Sequence, residues 1–65
     1  MLGKRVRVEK DLGDGEYICE GMEGVVTADL IDRLAIYFDE EISCGQKWVT
    51  FEDPQCIRNE LMVIG

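Results

Sequence analysis

Three cysteines, one run of acids and three aromatic residues with polar edges are the side chains with chemistry to offer. Cys19, Cys44 and Cys56 form an odd set, and no two stand at the close spacing of a metal knuckle or redox pair. Histidine is absent, so a zinc site would need all three thiolates and a carboxylate. A cysteine nucleophile would lack the neighbouring base that activates it, and Ser43-Cys44-Gly45 therefore reads as a loop. The plainer expectation is that at least two cysteines fill small apolar positions, as free cysteines commonly do. Asp39-Glu40-Glu41 offers a carboxylate pair or a place for a hard cation, but without the spacing and glycine of a calcium loop it reads as a solvated strand end. On these grounds no catalytic, cofactor-binding or metal-binding residue is assigned, and the chain is expected not to be an enzyme.

Tyr17, Tyr37 and Trp48 suggest a different use. Aromatic rings with a polar handle are typical anchors of protein interfaces, because they bury much apolar area at small entropic cost. Trp48 could equally be a core residue, and Tyr37 a cross-strand surface partner.

Size and charge narrow the setting. The 65 residues leave room for one domain, 1–65, with a single small core. No run of 18 apolar residues occurs, and the opening residues Met1 to Arg5 lead into no apolar signal segment. With unpaired cysteines, this makes a cytoplasmic setting the expectation. The net charge of −7 is unevenly spread. Residues 1–10 hold Lys4, Arg5, Arg7 and Lys10 against Glu9, a net +3, and the rest of the chain carries −10. Such a surface repels a phosphate backbone over most of its area.

The elements that would position these residues read as strands. Lys4 to Glu9 alternates strictly, with Val6 and Val8 on one face and Arg5 and Arg7 on the other. Asp14-Gly15 signals a turn, and Tyr17 and Cys19 would share a face in a short extended stretch. Gly24–Ala28 reads as a second strand with Val26 and Ala28 inward, and Leu34–Phe38 as a third with Leu34, Ile36 and Phe38 inward. Trp48–Phe51 is a fourth, stopped by Glu52-Asp53-Pro54. Ile57–Glu60 predicts one helical turn before a closing strand, Leu61–Ile64. One region has two readings. Leu30, Ile31, Leu34, Ala35 and Phe38 also recur at helical spacing, with Asp29 as a cap. The extended-favouring run Ile36-Tyr37-Phe38 speaks for the hairpin instead.

Arg5-Val6-Arg7-Val8, Gly21-Met22-Glu23-Gly24-Val25-Val26 and Ala35-Ile36-Tyr37-Phe38-Asp39 together resemble the motif of KOW-type modules and related small barrels. The tail, Trp48-Val49-Thr50-Phe51 through Asn59-Glu60-Leu61-Met62-Val63-Ile64, resembles the end of the small accessory barrel of photosystem I and of similar electron-transfer accessory barrels. The resemblance implies an all-β, five-stranded SH3-like barrel with a single helical turn before the last strand. Gly24 would lie where the backbone turns or is closely approached. This barrel hosts many unrelated roles, so the resemblance speaks to fold and little to function.

The functional expectation is a non-catalytic accessory or regulatory domain that docks on a protein partner with a basic surface. Tyr37 and Trp48 would form its apolar centre, and Asp29, Asp32, Asp39, Glu40 and Glu41 its acidic rim. Two alternatives stand beside it: an inhibitor whose acidic surface imitates nucleic acid, and a nucleic-acid binder using only the Lys4–Lys10 face. No cofactor is expected.

Overall fold

Alternation decides the first strand. Arg5–Val8 (β1) buries Val6 and Val8 completely and turns Arg5 and Arg7 to the opposite side. In this computed structural model, which describes residues 1–12, 18–42 and 45–65, four further strands follow. They are Glu23–Asp29 (β2), Leu34–Phe38 (β3), Trp48–Phe51 (β4) and Leu61–Val63 (β5), with a short helix, Pro54–Arg58 (α1), before the last. All pair antiparallel in the order β4-β3-β2-β1-β5. The hairpin reading of residues 24–38 holds, and the helical one does not.

The expected closed SH3-like barrel is not formed. Closure needs a ladder between the last two strands of the meander, but β4 and β5 lie at opposite edges of an open sheet. Among the described residues β4 pairs only with β3, and β5, three residues long, pairs only with β1. The resemblance to KOW-like modules and to the photosystem I type of accessory barrel is corrected with it, because closure was its structural content.

The core lies on one face of the sheet. Val6, Val8, Val26, Leu34, Ile36 and Phe38 are fully buried there, joined by Phe51 and Leu61. The connections cover this face: Leu12 and Ile18, joined by a single bridge, come from the β1–β2 segment, and Ile42 from the β3–β4 segment. α1 adds Pro54 and Ile57. It starts earlier than expected, because Pro54 suits the first helical turn, where its missing N–H needs no partner. The Asp14-Gly15 turn and Tyr17 lie outside the described residues.

Two details of β2 matter for the site. Gly24 does not have positive φ, which occurs at Gly3, Gly21 and Gly45. It is needed instead for close approach, since it sits opposite Phe38 in the narrow kind of antiparallel pair. Farther along, the register shifts: Val26 pairs with Ile36, but Ala28 pairs with Ala35 and Asp29 with Leu34. The extra residue of this β-bulge changes which side of the sheet the strand end presents. Ala28 thus does not follow Val26 inward as expected, and Asp29 is placed opposite the buried Leu34.

Candidate functional site

The face away from the core divides into an aromatic half and an ion-paired half. Trp48 on β4 is directly opposite Tyr37 on β3, Tyr37 is opposite Val25 on β2, and Val25 is opposite Arg5 on β1. These four side chains form one row across the sheet. Tyr37 is 50% exposed and Trp48 55%, so Trp48 is a surface residue and the two rings are neighbours on an open face. Facing Cβ atoms in such a pair stand about 5 Å apart, close enough for the rings to touch.

At the other end, Arg5 bonds to Asp39 and, at 3.3 Å, to Glu23. Arg7 reaches the second oxygen of Glu23 at 3.4 Å. Asp39 first and Glu23 second hold the Arg5 guanidinium above its ordinary pKa. The two arginines of the basic N-terminal segment are therefore engaged within the sheet rather than projecting as a free cationic stripe. Met62 lies beside Arg7 on β5 and is exposed.

The five proposed rim acids are not brought together. Asp29 sits at the bulged end of β2, where it binds Arg58 of α1 and the Met1 amine at 3.2 Å. Arg58 is the main cause, and the amine the next, of a carboxyl pKa below the ordinary range. Asp39 is taken by Arg5. Asp32 is exposed beside Arg33, at 3.7 Å. Glu40 and Glu41 are exposed on the β3–β4 connection and form no ion pair among the described residues. Of the five, the two free of ion pairs among the described residues are thus Glu40 and Glu41 on the β3–β4 connection, and no acidic ring surrounds the aromatic pair.

The cysteine expectation fails. Cys19 and Cys56 are both exposed, and Cys44 lies outside the described residues. The Asp53 carboxylate raises the Cys56 thiol pKa, with lesser contributions from burial and Glu60. That suppresses the thiolate a nucleophile would need. No group of three or more Cys, Asp or Glu able to hold a metal ion occurs among the described residues. No helix there is long and apolar enough to cross a membrane.

Sequence reasoning missed a second feature of the surface. Leu30 and Ile31 cap the β2–β3 turn, closed by Leu30 N–H to the Arg33 carbonyl at 2.9 Å, and Ile31 is 96% exposed. Beside this turn Asp32, Arg33, Thr50 and Glu52 line a shallow recess against β4. Ile31, which no strand face accounts for, was the available signal.

No protein-family model matches the chain, and no curated protein or solved structure matches it. The functional reading rests on the geometry alone.

Proposed function

We propose that this chain is a non-catalytic docking domain that receives a protein partner with a basic surface on the aromatic half of its outer sheet face. The observation that carries the reading is the Tyr37–Trp48 pair, two half-exposed rings set directly opposite each other on neighbouring strands. Burying such rings under a partner releases water from a large apolar area, which is where most interface energy is concentrated. Glu40 and Glu41, exposed on the β3–β4 connection, supply negative charge that favours a basic partner and speeds its encounter. Nucleic-acid imitation is less well supported, because Asp29 and Asp39 are neutralised by Arg58 and Arg5. Direct nucleic-acid binding through the N-terminal segment loses Arg5 and Arg7 to the same kind of pairing.

Trp48 is the only tryptophan, so its fluorescence reports on the site directly. Titration with basic, neutral and acidic peptides should give a saturable blue shift with the basic set alone, abolished by Tyr37→Ala. Equal responses to acidic peptides, or none to any peptide, would overturn the reading.

A further inference from the structure

Among the described residues no strand pairs with the second edge of β4. Phe38 donates its N–H to the Lys47 carbonyl at 2.7 Å, which makes Phe38–Lys47 a hydrogen-bonded pair. Antiparallel pairs alternate, so Ile36–Val49 is also hydrogen-bonded and Tyr37–Trp48 is not. The N–H and C=O groups of Trp48 and Thr50 therefore point away from β3, toward an edge that no strand occupies among the described residues. The Gln46 side chain agrees with this direction, since its Nε2 donates to the Trp48 carbonyl at 2.8 Å.

Proteins commonly blunt such edges with proline, lysine, a bulge or a covering loop. Here β4 is Trp48-Val49-Thr50-Phe51, four residues that favour extended backbone, in regular register with β3. Among the described residues its polar edge is met by the exposed Gln46 amide, which a ligand could displace at little cost.

We propose, resting on the docking reading above, that the partner is an extended basic segment that adds to the sheet as a sixth strand along β4. Backbone pairing with Trp48 and Thr50 supplies affinity without sequence demands, and side chains alternate between the two faces. The flanking charges choose the occupant. One end of β4 runs into the Asp32/Arg33/Thr50/Glu52 recess and then Asp53, and the other follows Lys47 on the connection that also carries the exposed Glu40 and Glu41. Lysines or arginines of an added strand would lie over Trp48, where cation–π attraction acts, and beside these carboxylates. A second copy of this chain is the poorer occupant, because each carries −7 and self-pairing sets these acids against each other.

The test uses blocked eight-residue peptides of alternating lysine and valine, with two relatives N-methylated at every lysine or at every valine. A strand offers its alternate N–H groups to opposite edges, so only one methylation pattern should weaken binding, by at least tenfold, when followed by Trp48 fluorescence. Bound peptide should slow hydrogen exchange at the Trp48 and Thr50 amides and leave that of Val49, already bonded to β3, unchanged. Gln46→Ala should tighten binding about fivefold, the worth of one competing hydrogen bond. Equal effects of the two methylation patterns would overturn strand addition. So would concentration-dependent dimerisation that protects the same amides without peptide. A basic peptide of helical pattern that alone binds, and loses binding with Tyr37→Ala, would leave the docking face standing and remove strand addition. Silence of Trp48 toward every basic peptide would remove both.

Discussion

A methyl group added at residue 24 would sit 2.5 Å from the carbonyl oxygen of Tyr37 and 2.9 Å from the Cα of Phe38. Neither neighbour is a flexible side chain, so the strain must be taken up by the β2–β3 ladder itself. Gly24→Ala should cost about 3 kcal/mol, the upper part of the range for overpacking. A urea titration checks this, and a loss below about 0.5 kcal/mol would mean the strands separate easily at this point. Asp29 sets a second residue-scale expectation. Its folded-state carboxyl pKa is lowered, chiefly by Arg58 and then by the Met1 amine. The stability it contributes is therefore complete above the ordinary carboxylate value of about 3.9 and is lost as pH falls through the lower, folded-state value. Asp29→Asn should destabilise the domain at neutral pH and flatten its pH dependence in that acid window. Parallel acid-unfolding curves for the two proteins would show that the Arg58 contact does not hold in solution. Of these two residues, the sequence marked Gly24 as special through its possible backbone roles. It misplaced Asp29, because nothing in the local pattern reveals a partner 29 positions away.

Strands were legible where one face is apolar and the other polar. β1 shows this best, and β3 shows it through Leu34, Ile36 and Phe38, which outweigh the helical spacing of their neighbours. The bulge in β2 was not legible. Val25-Val26-Thr27-Ala28 favours extended backbone throughout, and the shift is visible only against the partner register of β3. Closure was misjudged for a related reason. Strand count and the helical turn can be read along the chain, but whether β4 meets β5 depends on the path of the nine residues between them. The strand faces make a sharp contrast testable. Phe38 is fully buried among the core residues, so Phe38→Ala should cost about 3–5 kcal/mol. Arg7 lies on the outer face with an exposed ion pair, so Arg7→Ala should cost less than about 1 kcal/mol. Equal losses in denaturant titrations would mean that the assignment of the two faces is wrong.

Charge separates from apolar contact most clearly over the molecule as a whole. The excess of −10 beyond residue 10 creates a field that draws basic partners from a distance. Part of it is offset locally by Arg5 and Arg7, and Arg58, already counted in that figure, is committed to Asp29. Glu40 and Glu41 remain exposed on the connection between β3 and β4, without an ion pair among the described residues. The two contributions should therefore respond differently to salt. Rim charges act mainly on encounter, and screening over about 8 Å at physiological ionic strength weakens them. Reversing Glu40 and Glu41 to lysine should slow association with a basic partner at low salt, and the difference should fade as salt rises. Tyr37→Ala removes apolar contact that forms after encounter. It should weaken binding by at least about 2 kcal/mol, mostly through faster dissociation, with little dependence on salt. Because Tyr37 is half exposed, its loss should leave the fold intact, and a urea titration of the variant separates lost binding from lost structure. Stopped-flow association and calorimetry across a salt series test both halves together. If the charge reversal abolished binding at every salt while Tyr37→Ala bound normally, the surface would be acting through its charge, and the nucleic-acid-imitating reading would replace docking. Normal binding by both variants would place the contact elsewhere on the sheet.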